Sequence, residues 1–525
     1  MRLSTAKYQK DCKTRVFLGY KLRFFPNINN MEKSNLLKKI SSLIGLVSPK
    51  TESALEKLEK DFYNQSDLKQ RVLRPTSSQT TWTIAYLESM TGEKKVEESV
   101  IKPLLEWKGA QLDAQLVKDC VCTTALAEIL TDYQSMQEKI LNGYALLFEE
   151  GVPNLCVAFD TRFVTSRGIT EPPTGNVSKG PREGFIEDAK TNISLLKKRI
   201  KHPSFVAQES KIGRYTQTSV YVCYISQVAD KNTVKKILDK INSINIDGVV
   251  DSSYLARFLD CDKSGFFKTV GGAERPDTVT AKLLEGRIAL VVDGSPIVLT
   301  LPYVFFEDIQ ATEDYYQSAV TTTLGRYLRL VSVVLAIFVP SLYVALQVFN
   351  YQILPAKFLI TIITSTQAIP FRPFEEMLLV LVIFDILREA NFRMPKIASI
   401  SLSVVGAVVL GDAAVKAGLL GAPAVVIGAL SGIGLYAMPD NTMLFSVLRI
   451  IFLVVGSLLG LFGLTLCGLA LLAYVVSLNS FGAPYAAPFA PDILRDKQDA
   501  LGKQPLEKIR YRPKMIKSKN EVRQR

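Results

Sequence analysis

From Met443 to Leu478 the chain runs for 36 residues composed mostly of Leu, Val, Ile, Gly and Phe. About 20 such residues already cross the hydrocarbon of a bilayer, so this segment rules out an ordinary soluble fold for the C-terminal part. A helix of that length must tilt strongly or project beyond the bilayer. Residues 330–478 as a whole are dominated by Leu, Val, Ile, Ala, Gly and Phe, whereas residues 1–300 read as charged protein that faces water. At 525 residues the chain exceeds one ordinary core. The expected fold class is an α/β soluble N-terminal region of two related subdomains, followed by an all-α polytopic transmembrane domain.

The predicted organisation follows from that contrast. Residues 1–79 form a basic arm, 80–217 a first α/β subdomain, 218–302 a second, and 303–327 an interfacial helix rich in aromatic and acidic residues. The transmembrane domain covers 328–490, with spans near 328–349, 396–417, 422–438 and 443–478 and a re-entrant or interfacial stretch at 357–390. Residues 491–525 make a basic tail. The net charge of +13 gathers at the two ends, and basic flanks beside apolar spans favour the inner face and anionic headgroups over nucleic acid. The opening residues hold no apolar core of signal-peptide length, so the soluble part and the tail are expected on the cytoplasmic side. Four spans then leave 439–442 on the opposite side.

A repeat underlies the two subdomains. "TWTIAYLESMTGEKKVEESVIKPL" (81–104) and "SVYVCYISQVADKNTVKKILDKIN" (219–242) share a strand–turn–helix plan at an offset of 138 residues. Trp82, Ile84 and Tyr86 alternate as Val220, Val222 and Tyr224 do. In the helices that follow, Val96 and Val100 match Val234 and Leu238. Duplication is preferred over coincidence between two amphipathic units. Farther on, "GRIALVVDGSPIVLTLP" (286–302) turns at Asp293-Gly294, a strong hairpin signal.

Catalysis finds little footing here. The single histidine, His202, stands before a proline, and the seven cysteines form no CxxC pair. No nucleophile has a positioned base. An enzyme is therefore excluded, and neither cofactor nor metal is expected.

A series of short motifs occurs in order: "GPREGF" (180–185), Thr191-Asn192, "IDGVVDSSYL" (246–255), "ERPD" (274–277), "IPFRPFEE", "DILREA" (385–390), "RMPK" and "SFGAPYAAPFAP" (480–491). Together they resemble the A subunit of the GerA family of spore germinant receptors, over roughly residues 80–512. The resemblance implies a multi-pass subunit of the spore inner membrane, with a transporter-like, nutrient-binding B subunit and a lipoprotein C subunit as partners. It also implies a homo-oligomer of A subunits, in contact with membrane lipids, around a ligand-gated cation-conducting pore that triggers germination. The arginine of "FRPF" departs from the family pattern and leaves the details of gating open.

Three groups of residues carry the functional expectations. Pro370 and Pro373 break a helix inside apolar sequence, and Arg372, Glu375, Glu376, Asp385, Arg388 and Glu389 do not suit a lipid-facing surface. Either this stretch is an extramembrane loop with an amphipathic helix, or it lines a water-filled vestibule; the second is preferred. In 396–417, Ser401, Val405, Val408 and Asp412 share one helical face. Small and polar residues there mark helix packing or a wet pore. In the pore alternative, Val405 and Val408 form a dry ring and Asp412 favours cations. The third group, Gly180, Arg182, Glu183, Asn192, Asp293 and Gly294, is assigned to subdomain or subunit packing, with Arg182 and Glu183 as an ion pair. The rival functions are a non-conducting scaffold or germinant-binding subunit and, less favoured, a secondary transporter, since inverted repeats are lacking.

Overall fold

The computed structural model describes residues 53–524, apart from 63–64, 76–79, 110–111, 125, 163–178, 263–264, 368, 395–405 and 407. Residues 1–52 of the arm, and with them Ser401 and Val405, lie outside the described residues.

Two five-stranded antiparallel sheets build the N-terminal region. The first contains β1 (Leu68–Leu73), β2 (Trp82–Leu87), β3 (Ala127–Leu130), β4 (Ala145–Glu149) and β5 (Cys156–Phe159) in the order β1-β2-β4-β5-β3. The second contains β6 (Phe205–Ile212), β7 (Thr218–Ile225), β8 (Gly271–Ala273), β9 (Ile288–Val292) and β10 (Val298–Leu301) in the order β6-β7-β9-β10-β8. The connectivity is the same in both. Each sheet is covered on both faces by helices. On the first, Leu58 of α1 (Ala54–Asp61) and Met136 and Ile140 of α2 (Tyr133–Leu141) pack opposite Val96 and Val100. On the second, α3 (Ala189–Arg199) and α6 (Pro276–Leu284) cover one face, and α4 (Lys231–Asn242) and α5 (Ser252–Leu259) the other. The strand alternation sets this division: Val220 and Val222 face α4 while Tyr221 and Cys223 face α3.

The subdomain boundaries differ from those read in the sequence. Strand β6 pairs with β7 along its whole length, so the second unit begins well before 218. Helix α1 and strand β1, assigned to the arm, belong to the first unit. As an edge strand β1 exposes Lys69, Gln70, Arg71 and Val72 in a row, which erases the alternation a half-buried strand would show.

Residues 303–327 hold two short 3₁₀ turns, Phe305–Asp308 and Thr312–Tyr316, in place of an interfacial helix. Helix α7 (Ala319–Val348) begins there, nine residues before the expected span, capped by Ser318. The helices α8 (Ala356–Thr366), α9 (Pro373–Arg393), α10 (Ala422–Leu435) and α11 (Thr442–Ser477) follow. Among the described residues, two helical runs are long and apolar enough to cross a membrane, Ala319–Val348 and Pro439–Ser477, the second being interrupted at Gly460.

Helix α11 neither tilts nor projects as one rod. Gly460 has φ +60° and ψ −149°, which interrupts the helix. A side chain on Gly456 would lie 3.0 Å from Leu464, and one on Gly463 3.1 Å from Val455. Eight residues of straight helix would separate these by about 12 Å, so the chain reverses at Gly460. The first half runs alongside α7, with Gly456 against the Ser341 carbonyl and Gly460 against Phe349. The second half returns to the soluble units, where the Tyr474 hydroxyl donates to Asp262 at 2.7 Å. Residues 439–442 therefore stand beside the soluble units and not across the bundle from them: Asn441 donates to Asp308, and Lys268 bonds Asp440 at 3.4 Å. Replacing Gly460 with alanine forces a side chain into a conformation used almost only by glycine, at roughly 1–3 kcal/mol, and presses it on Phe349. The Gly460→Ala chain is expected to show a lowered thermal unfolding midpoint in detergent. An unchanged midpoint would mean that the reversal is not needed.

Candidate functional site

The 36-residue apolar run contains one charged side chain, Arg449, and the fold gives it partners from two other helices and, through one of them, a link to a third. Its Nη2 lies 2.7 Å from Asp385 Oδ1 on α9. Its Nη1 donates to Ser431 Oγ on α10 at 3.2 Å, and that hydroxyl donates to the Ala336 carbonyl on α7 at 2.7 Å. Arg388 reaches the same carboxylate at 3.1 Å and donates to Ser446 Oγ at 2.8 Å. Four helices thus meet at one carboxylate shared by two guanidinium groups. In apolar surroundings neither arginine is tolerable without it.

The interrupted stretch divides its charges between capping and burial. Helix α8 stops at Thr366 and α9 starts at Pro373, a residue suited to a first helical turn. Pro370 and Arg372 are exposed in the connection, and Glu375 accepts the Arg372 amide at 3.1 Å. Glu389 pairs with Arg393 at 2.7 Å on the surface. Glu376 and Arg388, expected beside water, are instead buried between helices. Glu376 accepts the Gly421 amide at 2.6 Å. The lining of a vestibule by these two is therefore not what this chain alone builds.

Of the segment expected to carry a pore, Gly406 and residues 408–417 are described. Gly406 packs against Leu387, whereas Val408 is 58 % exposed. Asp412 sits in a π-helical turn, Val409–Ala413, and pairs in the open with Lys416 at 2.8 Å. Turns of this kind recur at functional sites. Among the described residues, Gly406 faces the neighbouring helix and Val408, Asp412 and Lys416 face outward.

A second polar concentration joins the helices to the soluble units. Buried Arg326, on α7, binds Asp314 at 3.0 Å, Asp499 at 2.9 Å and the Ala500 carbonyl at 2.7 Å. Arg329 binds Asp314 with both terminal nitrogens at 2.9 Å. Burial works to raise the Asp314 carboxyl, but Arg329 and Arg326 outweigh it and hold the group below the ordinary carboxylate range. The tail read as a basic flank is folded onto the second unit: Arg512 donates to the Leu284 carbonyl at 2.7 Å and the Lys519 amide to Val228 at 2.8 Å.

Between the two soluble units, Lys197 of α3 forms a buried ion pair with Asp67, which also accepts from Ser89 at 2.6 Å. A cavity of 30 Å³ beside them is lined by Glu88, Lys190, Glu209 and Tyr221 among others. That space suits one or two waters. The remaining expected residues cluster in the second unit. Asn192 is fully buried and clamps Ile186 from both sides, accepting its amide at 2.9 Å and donating to its carbonyl at 2.5 Å. Asp293 accepts the Ala189 amide at 3.2 Å, and the Gly294 amide donates to Glu187 at 2.8 Å with Gly294 at φ +84°. Gly180, at φ +121°, lies against the Tyr316 ring. Glu183 pairs with Arg199 at 2.6 Å, while Arg182 is exposed.

Sequence reasoning set Asp385 among the charges unsuited to lipid but missed its partner Arg449, and it missed Arg326 with Asp314 and Asp499, and Lys197 with Asp67. The signal was present for the first: an arginine alone in an apolar run demands a carboxylate. No group of three or more potential metal ligands occurs among the described residues.

Comparison with known proteins bears on most of the chain. Residues 56–515 match the family described as Bacillus/Clostridium GerA spore germination protein. Spore germination protein KA of Bacillus subtilis is 31 % identical over 484 residues, which cover 91 % of this chain and 89 % of the relative. Spore germination protein A1 of the same organism is 31 % identical over 438 residues, 83 % of this chain and 89 % of the relative. Among solved structures, the N-terminal domain of the A subunit of the Bacillus megaterium spore germinant receptor GerK3 aligns at 23 % identity and a TM-score of 0.34, over 48 % of this chain and 94 % of that one. With the match spanning both soluble units and the helical part, the chain belongs to the GerA family of spore germination proteins.

Proposed function

We propose that this chain is the A subunit of a nutrient germinant receptor in the spore inner membrane, and that copies of it surround a ligand-gated, cation-conducting pore. Nutrient binding on a transporter-like B subunit, with a lipoprotein C subunit alongside, opens that pore and triggers germination. The soluble units and the tail lie on the cytoplasmic side.

The observation that carries this reading is the Asp412–Lys416 pair, exposed on the outer side of the helical part together with Val408. Charges held there are costly against hydrocarbon, so that side faces water or another copy of the chain. In a ring of copies, Val408 supplies an apolar constriction and Asp412 a cation-favouring charge.

Reconstituted receptor in vesicles tests it. Val408→Ser is expected to raise ion leak severalfold without nutrient, and Asp412→Asn to lower the preference for cations over anions. In spores, Val408→Ser should cause spontaneous germination. Wild-type receptor that conducts no ions with its partners and nutrient present would rule out the pore and leave the scaffold or ligand-binding role.

A further inference from the structure

We propose that Phe489 and Leu494 form a seating surface that inserts among the lipid headgroups beside the base of α7. The proposal rests on the reading that α7 crosses a bilayer. At 30 residues α7 is about 45 Å long, and about 20 residues suffice for the hydrocarbon. Its first ten residues or so are surplus, and the buried arginine Arg326 sits among them. That base level is therefore the headgroup layer.

Asp499 and Lys503, a few residues beyond Phe489 and Leu494, reach the same level. The Lys503 amide donates to Thr323 Oγ1 at 3.0 Å and Asp499 accepts from Arg326 at 2.9 Å, while the Phe489 ring stacks 4.6 Å from Phe306. On α7 itself Val320 and Leu324 are exposed at helical spacing, and Thr323, which touches the tail, is about 60° round the helix from that stripe. Leu494 is 77 % exposed and Phe489 41 %. They are exposed apolar side chains on the segment whose next residues, Asp499 and Lys503, pack on the base of α7. The nearby charges are already matched: Arg495 pairs with Glu521 at 2.7 Å and Lys497 with Asp492 at 2.6 Å. Contact is therefore made by apolar insertion, and not by attraction to anionic headgroups.

The test places a tryptophan at exposed Leu494 in the full chain, reconstituted in phosphatidylcholine vesicles with or without phosphatidylglycerol, and subtracts the emission of the parent's Trp82 and Trp107. The Leu494→Trp emission is expected to be quenched at least twofold by lipids brominated near the carbonyl end of their acyl chains. It should be shielded from iodide and indifferent to phosphatidylglycerol and salt. Quenching by iodide alone would show a surface that faces water, and quenching by neither would show one covered by protein; each overturns the proposal. So does lipid quenching that needs phosphatidylglycerol and low salt. Leu458→Trp, on the exposed side of α11, separates the two levels of inference. If it is quenched by deeply brominated lipids while Leu494→Trp is not, the seating surface alone falls. If neither responds to lipid, the bilayer reading falls with it.

Discussion

Asp385→Asn is expected to destabilise the helical part by about 3–5 kcal/mol, the cost of stranding a buried charge. Asp385 is the carboxylate between Arg449 at 2.7 Å and Arg388 at 3.1 Å, and asparagine keeps its shape while removing its charge. Both guanidinium groups then lie against apolar helices with hydroxyl and carbonyl partners alone. The full chain should accumulate poorly in membranes, and what is extracted should unfold at a lower temperature. Adding Arg449→Met should restore part of the loss, because the double variant buries one unpaired charge fewer. The coupling energy from that cycle measures the pair directly. An Asp385→Asn chain as stable as its parent would show that the node contributes nothing.

The second large effect belongs to the contact between the soluble units. Lys197→Met is expected to cost a similar 3–5 kcal/mol, since it leaves Asp67 buried without its cation. Its sign with pH distinguishes this cause from a packing defect. Burial alone would raise the Asp67 carboxyl, but the charge and hydrogen bond of Lys197, together with hydrogen bonds from Ser89 and the backbone, outweigh it and hold the group below its unfolded value of about 3.9. The parent's stabilisation is therefore complete above about pH 4 and lost as pH falls through the lower folded value. In Lys197→Met burial, the largest single influence, is opposed by the Ser89 and backbone hydrogen bonds alone. The folded-state value rises, and the variant should gain stability on mild acidification where the parent does not. Unfolding of the two chains between neutral and mildly acidic pH checks this; parallel profiles would mean that Asp67 is not the group responsible.

Family membership and the division into soluble and apolar parts could be read from residue order alone, because both are written in long stretches. So could β2 and β7, whose alternation at an offset of 138 marks the duplication, and the hairpin at Asp293-Gly294. A half-buried strand and a tight turn each impose their period and their residue types locally. Edge strand β1 carried no such pattern, since what stabilises it is pairing with β2 and not a buried face of its own.

What only the tertiary structure decided is how distant segments meet. Gly460 is one of several glycines in its run, and nothing local says that it alone takes a positive φ and reverses the chain; Phe349 and Ser341 on α7 fix that. The tail's basic residues look like a membrane flank, yet Lys503, Arg512 and Lys519 are consumed by carbonyls far away in sequence. Composition determines how many charges a chain holds and where along it they lie. Which of them are buried, and against what, depends on three-dimensional proximity, and a buried charge is stable only where the fold supplies its counterpart.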